Sequence, residues 1–164
     1  MKKFFVTLIF ASLASVIVGY LFSVMQWPQG KQIARMGMWM HIVSYLAYSL
    51  IVKDKDMRIV YPLLALVIVV VFNTLNFGQP SIISQVGLLL GYTGYHLIVT
   101  DYLGETEIPY HRIFSIFGLV LIWVGILFKI QHYSGADELF LGGCSITAFL
   151  LLLTGATKDL KRKK

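Results

Sequence analysis

Charge is what this sequence has least of. Acidic and basic residues make up only 13% of the 164 residues, where a soluble domain carries roughly 25%. That deficit excludes a water-soluble globule. With 57% hydrophobic residues, it excludes intrinsic disorder as well, because disordered segments are polar and charged. Cysteine is nearly absent: Cys144 stands alone, so an intrachain disulfide and a thiolate metal cage are both excluded. The chain also has no phosphate loop, no His-Glu-x-x-His helix and no paired carboxylates at helical spacing within an apolar run. An enzyme at the membrane surface would have to use the stretch 105–112 with His111 as base, and nothing there exceeds chance. Neither a cofactor nor a metal is expected.

Long apolar runs fill the chain instead. A spanning helix takes about 20 apolar residues, and the sequence divides into six such runs: 4–25, 33–52, 59–77, 82–100, 113–130 and 139–156. The expected architecture is an all-α membrane protein, one transmembrane domain over 1–164. Its hairpins are 4–52, 59–100 and 113–157, with linkers 53–58 and 101–112. Met1-Lys2-Lys3, the apolar stretch after it and the small residues around Ala11 to Ala14 have the layout of a signal peptide. The apolar run continues to Met25, however, which is a full span, so its retention is expected. Net charge is +6, and five of the fourteen basic residues close the chain. This is the pattern of a membrane anchor beside anionic lipid rather than of a nucleic-acid surface. With six spans, Lys2, Lys3, Lys53, Lys55, Arg58, Arg112 and the five basic residues of the tail share one side, against Lys31, Arg35 and Lys129 on the other. The positive-inside rule then places both termini in the cytoplasm of a multi-pass protein of the bacterial inner membrane.

A pattern recurs along the chain. Phe22 and Gly37 bracket a stretch that reappears between Phe128 and Gly143, and again between Phe72 and Gly87. An aromatic stands five residues after each Phe (Trp27, Phe77, Tyr133), preceded by a polar residue (Gln26, Asn76, His132). Gly19 and Gly125 precede the outer two copies, where the middle one has Val69. Each copy falls at a turn between two apolar runs. The expectation is three pseudo-repeated helical hairpins, with the aromatic at headgroup level, the polar neighbour capping helix-end carbonyls and the glycines allowing close helix approach.

The stretch from Gly125 to Asp137 resembles the membrane hairpin of the GldL/PorL family, the inner-membrane motor subunits of gliding motility and type 9 secretion. Phe128, Lys129, Ile130, His132, Gly135, Ala136 and Asp137 match the family's turn, with Tyr133 for Trp and Ser134 for Pro. The first copy matches more weakly, through Gly19, Phe22, Trp27 and Pro28. The resemblance implies a shared hairpin fold. Those motor proteins have two spans, a long cytoplasmic region and a proton-linked carboxylate in the second helix of the hairpin. This chain has no acidic residue from Ile33 to Val52 or from Leu139 to Thr157.

Polar residues inside a membrane are functional candidates by default. His41 and His96 lie within apolar runs. His41 is four residues past Gly37 and His96 nine past Gly87, an offset of about 7.5 Å along a helix axis, which is too uneven for two ligands of one haem. Neutral histidines bonded to neighbouring groups are the expectation, with a proton relay as the alternative. Asn73, Thr74 and Asn76 are expected to form interhelical hydrogen bonds, worth about 0.6–2 kcal/mol each, rather than line a cavity. Lys129, His132, Asp137 and Glu138 gather at one turn, as a partner contact or as a solvated loop with a local ion pair. The function expected is that of a small scaffold or accessory subunit of a membrane complex, partnered by lipid and by another membrane protein or a second copy. The alternative is a proton or small-solute channel or transporter using His41, Asn73, Asn76 and His96.

Overall fold

The computed structural model describes residues 2–52, 60, 62–64, 66–67, 71, 95–100 and 111–157. Among these the chain is helical apart from two short turns and Val52, with no strand. The long helices are α1 (Lys2–Val24), α2 (Gly30–Ile51), α3 (His111–Ile130) and α4 (Ala136–Thr157). α1, α3 and α4 are each long and apolar enough to cross a bilayer, so the chain is a membrane protein.

Both second helices begin three residues earlier than apolarity alone marks them, at Gly30 and Ala136 rather than at Ile33 and Leu139. Their first turns are polar (Lys31-Gln32 and Asp137-Glu138) and therefore carry no hydropathy signal, yet the backbone is already helical. α3 likewise begins at His111, so His111 and Arg112 are helical residues and not the end of a linker.

α2 is as long as α4 but less apolar, because Lys31, Gln32, Arg35, His41, Ser44 and Tyr45 interrupt it. From His41 on, its polarity is sorted by face. His41, Ser44 and Tyr45 are buried, whereas Met36, Trp39, Met40, Val43, Leu46 and Leu50 are exposed at helical spacing. This is the reverse of a helix on a water-soluble protein, which turns its apolar stripe inward.

The chain forms two compact units, one of Met1–Tyr48 with Thr106–Lys164, the other Ser49–Glu105. In the second unit Leu66, Tyr95, His96, Val99 and Thr100 are buried, and Leu64, Val67 and Val71 are exposed. The middle turn, with Asn73, Asn76, Phe77 and Gly87, lies outside the described residues.

In the first unit the helices pack in the order α2, α1, α4, α3. Gly19 of α1 meets the backbone of Ala34 on α2 so closely that a Cβ there would lie 2.2 Å from the Ala34 nitrogen. Gly37 of α2 rests on α1 between Ser12 and Val16. The α3–α4 pair repeats both contacts 106 residues on: Gly125 meets the backbone of Phe140, and Gly143 rests between Gly118 and Ile122. The two pairs join where Thr7 Oγ1 donates to the Gly155 carbonyl, 3.1 Å away, and where Phe10 packs its Cβ on Gly155. At the other end, Lys129, just before the turn into α4, reaches the Val24 carbonyl of α1, so α1 and α4 are antiparallel.

The two described turns also follow one plan. Gln26 and His132 take left-handed backbones, with φ of 56° and 57°. The Trp27 N–H donates back to the Phe22 carbonyl at 2.8 Å, and the Tyr133 N–H to that of Phe128 at 2.9 Å. The Gln26 and His132 N–H groups reach Ser23 and Lys129. This is the hydrogen-bond set of a Schellman ending, whose usual hydrophobic clasp is supplied by Phe22 against Trp27 and Phe128 against Tyr133, ring centroids 4.9 and 5.4 Å apart. The polar residue before the aromatic thus closes the helix with its own backbone, not by side-chain capping. A second left-handed residue, Gln29 or Gly135, offers its carbonyl to Ile33 or Leu139 and starts the next helix.

Candidate functional site

His41 is buried against α1. Its Nδ1 lies 3.1 Å from the Ile9 carbonyl and 3.1 Å from Ser12 Oγ, while Ser12 Oγ donates to the same carbonyl at 2.9 Å. One arrangement satisfies all three atoms. Nδ1 carries the proton and donates to Ile9 O and Ser12 Oγ, and the Ser12 hydroxyl donates to Ile9 O. His41 is thereby a clamp between α2 and α1, with Tyr45 one turn further along the same buried face.

A second buried histidine, His111, clamps α3 to α4. Its Nε2 bonds Thr154 Oγ1 and lies 3.5 Å from the Leu150 carbonyl, and Thr154 Oγ1 donates to Leu150 O at 2.7 Å. The arrangement that satisfies these atoms uses the opposite tautomer to the one at His41. With the Thr154 hydrogen committed to Leu150, Nε2 is the atom that donates. The two clamps sit at a similar depth. Thr7 is level with Gly155, and counting along the antiparallel pair brings Ile9 and Ser12 level with the turn of α4 that holds Leu150 and Thr154.

The other sequence candidates fall in separate places. His96 is buried in the second unit, and Asn73 and Asn76 lie outside the described residues. Lys129, His132 and Asp137 do come together at the second turn. Lys129 Nζ is 2.7 Å from an Asp137 carboxylate oxygen, with the side chains 40% and 54% exposed, so the pair itself is worth less than about 1 kcal/mol. Lys129 also donates to the Val24 carbonyl at the end of α1, 3.2 Å away, tying the two turns together. His132 is exposed and serves the turn through its backbone. No group of three or more His, Cys, Asp or Glu side chains suited to a metal occurs among the described residues.

Sequence reasoning passes over Ser12, Thr154 and Ser115. A lone hydroxyl in an apolar run gives no hint of the face it occupies. The hint available is distance from the packing glycines: His41 is four residues past Gly37, one turn along the same helix face.

His41→Leu is expected to cost about 1–3 kcal/mol, because it removes the donor from buried groups on α1. His41→Gln retains an N–H for Ile9 and is expected to lose less. Thermal stability of the detergent-solubilised variants reads the difference.

The chain matches no family model, no curated protein and no solved structure.

Proposed function

We propose that the chain is a small polytopic scaffold or accessory subunit of a membrane protein complex in the bacterial inner membrane. In this reading it has six spans, arranged as three repeated hairpins with both termini in the cytoplasm. One observation carries the reading: two helix pairs share a single contact scheme, and polar groups on each reach across to grip a neighbouring helix. His41, Ser12, Thr7, Thr154 and Lys129 all bond neighbouring helices. The outward apolar face of α2 supports counting it as a span, since lipid is the medium that accepts Trp39, Met40 and Val43 on the outside. The partner would be another membrane protein or a second copy. The resemblance to the gliding and type 9 secretion hairpin falls on Phe128, Lys129 and Asp137, and their structural employment here favours a shared hairpin without shared motor chemistry.

The full chain, tagged at Lys164 and extracted from its own membrane in mild detergent, is expected to retain a membrane partner in fixed stoichiometry. A reporter at Lys164 is expected to be active in the cytoplasm and one at Gln29 outside. A partner-free protein that carries protons or a small solute across reconstituted vesicles would replace this reading with that of a channel or transporter. The buried His111 Nδ1 and Ser115 Oγ of α3 favour that second reading most.

A further inference from the structure

Two atoms on α3 stand apart from the clamps. His111 Nδ1 and Ser115 Oγ are both buried, and neither has a hydrogen-bond partner among the described residues. The residues are 3% and 2% exposed. They lie four positions apart on one helix, hence one turn apart on the same face. In the tautomer that lets Nε2 donate to Thr154, Nδ1 is a bare lone pair, an acceptor. Ser115 brings one donor and two lone pairs. Interiors rarely leave such atoms unsatisfied, and apolar surroundings make the omission costly.

The chemistry of the pair selects its ligand. A metal cation needs four or more donors, usually with negative charge among them, and two neutral atoms do not provide that. An anion would meet the Nδ1 lone pair head on. What fits is a small neutral group that donates to Nδ1 and accepts from, or donates to, Ser115. Side chains four apart on a helix have Cβ atoms about 5–6 Å apart, near enough for one small molecule to reach polar atoms on both.

We propose that His111 Nδ1 and Ser115 Oγ together bind a single water molecule, making a hydrated polar site on α3 at the end of the bundle opposite the turns. The site is independent of the scaffold reading. It gives one of the two histidine clamps an exchangeable proton partner that the His41 clamp, whose Nδ1 is occupied by Ile9 and Ser12, does not have on that nitrogen.

The sign of one substitution tests this. Ser115→Ala removes a single atom. If that hydroxyl holds a water for His111, its loss lowers the apparent Tm, by about 2–4 °C for one hydrogen bond in a chain of this size. If the hydroxyl is unpartnered, its loss raises the Tm. The second measurement is solid-state NMR of the ¹⁵N-imidazole-labelled full chain in lipid, with the His111 signals identified by their disappearance in His111→Gln. Nδ1 is expected to show transfer from water protons in the native chain and to lose most of it in Ser115→Ala. A raised Tm overturns the proposal. So does a lowered Tm with no water contact at Nδ1, since the hydroxyl would then be serving the helix backbone instead.

Discussion

Gly19→Ala and Gly143→Ala are expected to be among the most damaging single-methyl additions in the chain. A Cβ at Gly19 would lie 2.2 Å from the Ala34 nitrogen and 2.5 Å from its Cα. At Gly143 it would lie 2.6 Å from the Ile122 nitrogen and 2.7 Å from the Gly118 oxygen. All four are backbone atoms, so no side chain can swing aside and the helices must separate. Overpacking costs about 1–3 kcal/mol and occasionally more, and rigid backbone on both sides puts these two sites at the upper end. Gly142→Ala is the control. It adjoins Gly143 in sequence, but its Cβ would meet nothing within 4 Å, so better helix propensity should leave it neutral or slightly stabilised, by up to about 1 kcal/mol. The fraction of monodisperse protein after detergent extraction and brief heating separates the three. Equal behaviour of Gly142→Ala and Gly143→Ala would mean that α3 and α4 do not meet at this seam.

Phe10→Ala is expected to be comparably severe for a different reason. Phe10 is fully buried and packs on Gly155, where α1 crosses α4. Emptying such a site costs about 3–5 kcal/mol. The glycine variants act inside a helix pair, whereas this one acts between pairs. Co-expressing residues 1–52 with the remainder of the chain isolates the second effect. The two fragments should co-purify in the native sequence, and Phe10→Ala should weaken their association while each fragment still inserts.

Much of this organisation is legible in the sequence, and the limits of that legibility have physical causes. The Phe-to-aromatic spacing marks both described turns because a Schellman ending commonly carries an apolar pair five residues apart and has a residue between them that tolerates a left-handed backbone. Gly19 and Gly125 are readable because close backbone approach leaves few other choices. Helix starts are misplaced by three residues, since hydropathy does not register the polar first turns at Lys31 and Asp137. His111 reads as the end of a linker because it follows Pro109-Tyr110, yet α3 begins with it and turns it inward against Thr154. The pairings Ser12–His41 and His111–Thr154 are invisible in one dimension. Each joins a residue to a neighbouring helix 29 or 43 positions away, and only the rotation of both helices decides that they meet.

The inverted faces of α2 bear on how the chain reaches the membrane. A segment is partitioned into lipid by its total apolarity as it leaves the ribosome, before any neighbour can shield its polar side. Lys31, Gln32, Arg35, His41 and Ser44 weigh against α2 at that moment, whereas α1 is apolar around its whole circumference. α1 is therefore expected to enter first and unaided. On the proposed six-span reading, it then presents the Ile9 carbonyl and Ser12 hydroxyl that receive His41, and α2 is expected to enter as the second half of a pair. If α2 is a span, a chain that lost α1 is expected to lose α2 from the bilayer with it, although no residue of α2 had changed.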